Sequence, residues 1–189
     1  MDLVSLDDFA ALVTARRTSL LLDADREVPG ELIARLCELA MWAPNHKKTW
    51  PWRFASFTGE GRNRIGEAYF DDLVAAGADP RHPKLTKTKG KYARAGAIVA
   101  VGSAPDDDAS LDAENAYAVA AGIEHMLLGA TAAGLGSFWG SPPLLEAPTA
   151  LQLCGFEPGT KILALVYLGW PIGEMPAVER PPVVVNAIG

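Results

Sequence analysis

The chain of 189 residues is poor in the side chains that most readily build a reactive or metal-holding centre: it has two cysteines and three histidines. Cys37 and Cys154 lie far apart and neither belongs to a C-x-x-C pair, so neither a disulfide framework nor a zinc site is implied, and a reducing compartment is expected. The strings G-x-x-x-x-G-K-[ST], G-x-S-x-G and H-E-x-x-H are absent, which removes a P-loop, a hydrolase elbow and a metalloprotease helix. GLGSFWG (134–140) carries its glycines as G-x-G-x-x-x-G and follows a helical pattern, whereas a dinucleotide fingerprint needs G-x-G-x-x-G after a strand. Basic charge is also scarce: the net charge of −6 argues against nucleic acid as a dedicated partner. The opening MDLVSLDDFAALV has no basic stretch, so no signal peptide is expected and a cytoplasmic location is. MLLGATAAGLGSFWGSPPLL (126–145) is uncharged over a membrane-spanning length, but four glycines and Pro142-Pro143 fit a buried helix, a turn and a short strand better. No membrane partner is expected.

Apolar residues are plentiful, at 49%, and their spacing predicts the elements. Ser5 with Asp8 forms a capping box for a first helix ending near Arg16-Arg17. A second starts around Pro29 and is ended by Pro44. WRFASF (52–57) reads as a strand, 61–76 and 80–94 as two polar helices, and GAIVAVG (96–102) as a buried strand. Asp106-Asp107-Asp108 reads as a solvated loop. Residues 113–133 form the longest helix, on which Ala118, Gly122, Gly129 and Ala133 share a face that another helix could approach closely. SFWG (137–140) suggests a short strand or turn, 144–153 a short helix and KILALVYLG (161–169) a buried strand. The proline-rich tail ends in Val183-Val184-Val185. It must dock on a sheet edge, its own or a neighbour's, because Pro181-Pro182 allow only an edge strand. Helices and strands do not alternate regularly, so the expected fold class is α+β, in one domain over 1–189.

WAPNHKKTWPWRF (42–54) holds three of the five tryptophans around two prolines. Large aromatics in a segment that cannot be regular helix are expected to stand against something. Arg16, Arg17 and Thr18, at a helix end, make a plausible phosphate clamp, since arginine binds phosphate through paired charge-assisted hydrogen bonds; favourable charge at a helix C-terminus is the simpler alternative. His125, among Met126, Leu127 and Leu128, is expected to be a hydrogen-bonded core histidine, and His82 an exposed one. Lys84, Lys87, Lys89, Lys91 and Arg94 read as a solvated face.

Four pieces occur in order: Arg-Arg-Thr after helix one, Ala-Pro-x-His-Lys-x-x-x-Pro-Trp after helix two, Gly-Leu-Gly-x-x-Trp after the long helix and Tyr-Leu-Gly-x-Pro near the end. Together they resemble the FMN-dependent nitroreductase family, especially its compact bacterial members, over nearly the whole chain. The resemblance implies a central, mostly antiparallel sheet flanked by helices, in a homodimer with two flavin sites at the subunit interface and a C-terminal tail strand exchanged between subunits. It implies FMN held by Arg16, Arg17 and Thr18, with Trp139, Gly140 and Ser141 lining ring and phosphate. Residues 42–54 would form a pocket wall, with Trp42, His46 and Lys47 facing FMN bound mainly by the other subunit. Gly129, Ala130, Thr131, Ala132, Ala133 and Gly134 correspond to a stretch assigned to the nicotinamide nucleotide.

The implied activity is an FMN-dependent NAD(P)H oxidoreductase. NADH or NADPH would give hydride to the flavin and leave, and an electron-poor small molecule, such as a nitroaromatic, quinone or enone, would take its place in a ping-pong cycle. No protein nucleophile is needed, in keeping with the missing triad. Lys47 or Arg17 would stabilise negative charge on the reduced ring; a solvated surface pair is the other reading of Lys47-Lys48. The chain also departs from its relatives. Arginine is usual where Trp42 and Gly140 stand, glutamine where Trp50 stands, and a further arginine just after the Arg-Arg-Ser/Thr motif, where this chain runs into leucines. Each lost charge-assisted contact would cost about 1.5–3 kcal/mol, so weaker FMN binding is expected unless Arg180 or a lysine compensates. The rival reading is a non-catalytic dimeric flavin- or nucleotide-binding protein whose opening Trp42 and Trp50 fill.

Overall fold

A computed structural model describes residues 4–176 and 178–189. The elements, in order, are α1 (Leu6–Ala15), β1 (Leu22–Asp23), α2 (Gly30–Ala40), β2 (Trp52–Thr58), α3 (Gly61–Ala75), α4 (Pro83–Gly90), β3 (Ala97–Ser103), α5 (Ala109–Ala132), β4 (Gly136–Gly140), α6 (Pro148–Cys154) and β5 (Lys161–Pro171). Single 3₁₀ turns cover His46–Lys48 and Lys91–Arg94.

The fold is α+β. Long β5 organises an antiparallel sheet, pairing with β3, β4 and β1, while β3 pairs with β2. The β-branched and alanine-rich strands alternate between two cores. Ala97, Val99, Val101, Val166 and Leu168 face α2 and α5; Ile98, Ala100, Leu165 and Tyr167 face α3 and α6. The register slips between Val101 and Gly102, where Ile162 and Ala164 are successive partners and Leu163 is passed over, so the β5 side chains keep reaching the correct faces on either side of the irregularity.

Local signals account for most boundaries. The Ser5 hydroxyl donates to Asp8 Oδ2 at 2.6 Å and accepts from the Asp8 N–H at 3.1 Å, so the capping box forms. Two expectations need correction. Asp108 is not only solvated: its carboxylate accepts from the Ser110 and Leu111 N–H groups at 2.8 and 3.3 Å, which starts α5 at Ala109, four residues earlier than expected. The helix expected over 80–94 begins at Pro83, capped by the His82 ring, and gives way at Gly90 to a 3₁₀ turn. Of the two expected seats for the tail, the described residues form no strand on this chain's own sheet, and Val183, Val184 and Val185 are 86%, 83% and 81% exposed.

The small-residue face of α5 meets α2. A Cβ at Gly122 would lie 2.5 Å from the Ala40 carbonyl oxygen, and one at Gly129 would lie 2.8 and 2.9 Å from Leu39 and Leu36 methyls. His125, half-buried, uses Nδ1 on the Leu39 carbonyl at 3.2 Å across the same crossing. No described helix is long and apolar enough to cross a membrane.

Candidate functional site

Arg16 adopts an extended conformation and stops α1, its N–H still bonded to the Leu12 carbonyl. The following residues are pinned beside β4: Thr18 bridges Ser137 in parallel, and the Ser19 N–H donates to the Ser137 carbonyl at 2.9 Å. Arg16 Nε lies 3.3 Å from Glu124 of α5. Arg17 Nη1 donates to the Thr14 and Arg16 carbonyls, which curls the side chain over the helix end. The tail then closes the site. A cavity of about 240 Å³ is lined by Arg16, Arg17, Thr18, Met175, Val178 and Arg180. Three arginines and a threonine around one space of this size are a residue set that suits a phosphate. A neighbouring cavity of about 350 Å³ shares Arg17 and adds Ser19, Thr131, Gly136 and Glu174. The Ser19 hydroxyl is buried against Gly136 with no hydrogen-bond partner.

Trp139, Gly140 and Ser141 follow Ser137 along and just beyond β4, about 7–13 Å past the Thr18 bridge at strand spacing. A ligand with its phosphate by Thr18 and a ring at Ser141 would span that distance. The Trp139 indole is half-buried, packs on the α5-side core and donates to the Leu163 carbonyl at 3.2 Å. Gly140 is buried; a Cβ there would lie 2.7 Å from the Tyr167 ring and 3.1 Å from the Leu165 carbonyl. The strand therefore has no room for an arginine side chain at this place. Ser141 is exposed.

Residues 42–54 stand away from that cavity, tied to the other half of α5. His46 Nδ1 meets the Glu114 carboxylate, and Thr49 Oγ1 donates to Asn115 Oδ1 while accepting from Asn45 Nδ2. Glu114 and Glu124, the α5 partners of His46 and Arg16, are about 15 Å apart along the helix. Trp52 is buried, as expected of an aromatic in this segment, but Trp42 is 83% and Trp50 55% exposed. Neither exposed indole fills a pocket of its own chain. Lys47, Lys48 and Trp50 have φ of 54°, 53° and 52°, a left-handed region that such side chains rarely enter. Lys47 is exposed.

The stretch 129–134 divides. Gly129 faces α2 and Ala130 is fully buried in the core; Thr131 lines the 350 Å³ cavity, its hydroxyl donating to the Leu127 carbonyl. Ala132 is exposed and Ala133 half-buried, and Gly134, at φ 75°, ends the helix. Within one chain, Arg16, Arg17, Thr18, Thr131 and β4 come together, whereas Trp42, His46 and Lys47 do not join them. Sequence reading missed Ser19, Glu114, Asn115 and Glu174. Glu114 and Asn115, adjacent polar residues on a mostly apolar helix, were the available signal.

Several further ionisable groups are structural. Burial pushes the Cys37 thiol up to about 11, helped by Glu38, and the Cys154 thiol up to about 12, so neither is a thiolate near neutrality. Burial likewise raises Tyr69, Tyr92 and Tyr167. Hydrogen bonding from Arg53 holds Glu157 below the usual carboxylate range.

A family model for the nitroreductase family matches residues 13–170. The chain belongs to the nitroreductase family. It is 29% identical over 167 residues to "Putative NAD(P)H nitroreductase YdjA" of Escherichia coli K12, covering 88% of this chain and 89% of that one. It is 26% identical over 154 residues to "Putative NAD(P)H nitroreductase YfhC" of Bacillus subtilis, covering 81% and 79%. In fold it matches a nitroreductase-like family protein from Bacillus cereus with TM-score 0.79 and 23% identity over 96% and 95% of the two chains. It also matches the FMN-dependent nitroreductase NfnB from Mycobacterium smegmatis, solved with NADPH, with TM-score 0.67 and 21% identity over 89% and 90%.

Proposed function

We propose that this nitroreductase-family protein is an FMN-dependent NAD(P)H oxidoreductase that works as a homodimer and reduces electron-poor small molecules, nitroaromatics, quinones or enones, in a ping-pong cycle. The observation that carries this reading is the cavity lined by three arginines, Arg16, Arg17 and Arg180, beside Thr18 and the start of β4. Its donor set suits a phosphate monoester bearing about two negative charges. Arg180 supplies a cation that the chain lacks at Trp42 and Gly140. FMN held there would supply two-electron hydride chemistry between NADH or NADPH and the acceptor, which would take up a hydride equivalent and one proton from solvent.

The protein's own groups bind and orient. Arg16, Arg17, Arg180 and Thr18 hold the phosphate, β4 through Ser141 lies along the ligand, and Thr131 with Ser19 and Glu174 offer polar contacts on the other side of Arg17. His46 contacts α5 about 15 Å along the helix from Arg16, and with Lys47 and Trp42 serves the site of a second copy. Two further features favour that second copy. Helix α1 buries none of its residues although Leu6, Phe9 and Val13 share a face. The Val183–Val185 run is exposed and needs a strand edge, which a partner's sheet would offer.

An absorbance spectrum of the purified protein, before and after addition of FMN, is the test. A protein-bound flavin band is expected, bleached by NADH or NADPH without oxygen and restored by a quinone. Absence of flavin uptake at micromolar FMN would overturn the reading.

A further inference from the structure

The segment 81–94 carries six of the chain's 17 lysines and arginines and no aspartate or glutamate, in a chain whose net charge is −6. A face that only meets water would leave those side chains extended. Three of them are instead seated on aromatic rings. Lys89 Nζ lies 3.9 Å from the centroid of the Phe70 ring on α3, and Lys91 Nζ lies 4.8 Å from that of Tyr92. The Arg94 guanidinium lies 4.9 Å from the Tyr167 centroid on β5 and 5.8 Å from that of Phe138 on β4. Each ring attracts a cation through its negative face.

Lys91 and Arg94 form a pair. They begin and end one 3₁₀ turn, in which side chains three residues apart project from the same side. Their rings are part of the core: Tyr92 is 1% and Tyr167 3% exposed, with centroids 5.8 Å apart. Fixed rings hold the charges in place. Neither cation forms an ion pair among the described residues. Lys91 is half-buried, and burial together with the Arg94 charge holds its ammonium below the ordinary lysine range. Two like charges fixed side by side without a counter-charge repel each other, and an anion beside both would relieve that repulsion. A dianion matches the two charges, and a guanidinium offers it paired N–H donors. The pair shares no residue with the cavity of Arg16, Arg17 and Arg180.

We propose that Lys91 and Arg94 make a second phosphate-binding site, held ready on the Tyr92–Tyr167 ring pair. The phosphate arrives as the free ion or as the monoester of a nucleotide. The site stands apart from the oxidoreductase reading and does not depend on it.

The test follows backbone and arginine Nε resonances of the full-length, ¹⁵N-labelled protein as inorganic phosphate is added at constant ionic strength. Adenosine 2′-monophosphate and adenosine are titrated in parallel. Saturable shifts are expected across Lys91–Arg94 with a Kd of about 1 mM or tighter. Lys91→Met and Arg94→Met keep an apolar stem on the ring and remove the charge. Each should weaken binding at this place by about tenfold or more, and each carries the prediction alone if the other misfolds. Lys84→Met, which removes an exposed charge from α4, should change it by less than about twofold. Tighter binding of the nucleotide than of phosphate, with no response to adenosine, assigns the site to a nucleotide monoester; equal affinity assigns it to the free ion. Shifts confined to Arg16–Thr18, a response that does not saturate, or equal losses in Lys84→Met and Lys91→Met would overturn the proposal. The last would reduce the patch to diffuse surface charge.

Discussion

Arg17 and Arg180 come from opposite ends of the chain and line one cavity. Their legibility differed for a physical reason. Arg17 sits in a compact motif at a helix end, one of the four ordered pieces that carry the family resemblance. Arg180 lies in a proline-rich tail with no periodicity to say where it goes, so only the folded chain shows it beside Arg17. Replacing either by Ala is expected to weaken FMN about 10- to 100-fold, the range for a hydrogen bond to a charged group, and to leave riboflavin within about threefold. Isothermal titration of both ligands checks this, since only FMN carries the phosphate. Equal losses would place the guanidiniums against some other part of the flavin. The same scale shows why the expected shortage of cations is only partly real: Gly140 has no space for an arginine against Tyr167, and the tail brings its own.

Among the elements, the long helix and the buried strands were readable because burial on a regular period leaves an unmistakable pattern. Close crossings were readable too: the small residues of α5 let α2 approach until the Ala40 carbonyl oxygen lies 2.5 Å from where a Gly122 Cβ would be. Gly122→Ala should therefore destabilise the protein by about 2–3 kcal/mol, since the obstructing atom is backbone and cannot rotate away. A chemical-denaturation midpoint unchanged from wild type would mean the two helices slide apart freely. Other boundaries were hidden. Asp108 looks like any acidic loop residue until its carboxylate is seen on the first N–H groups of α5. The left-handed turn at Lys47, Lys48 and Trp50 carries no glycine or asparagine to announce it; its support comes from Asn115 and Glu157, distant in sequence.

For the whole molecule, the two groups of candidate residues on α5, about 15 Å apart, are the reason to expect two chains. Light scattering at micromolar concentration should give twice the 20.1 kDa of one chain, and removing residues 176–189 should weaken the dimer and, with Arg180 gone, FMN retention as well. A full-length monomer would refute the shared site; an unchanged dimer after truncation would mean that the tail does not cross. The fold class was legible from sequence because the pattern of buried residues records it. The assembly was less so, because an exposed apolar face looks the same in sequence whether it meets its own core or another molecule.

Helix α1 gives this a further consequence. Ten residues with no buried side chain form a helix shorter than water alone sustains, yet α1 ends in the residue that begins the phosphate cavity. It leans on α5 and is tied there through Arg16 and Glu124, and its exposed apolar face leaves room for further cover. If that cover is a second copy, dilution alone would fray α1 and slacken Arg16 and Arg17 with it. Flavin retention would then follow protein concentration as well as flavin concentration, and a preparation could lose its cofactor on a column without any change in the affinity of the assembled site.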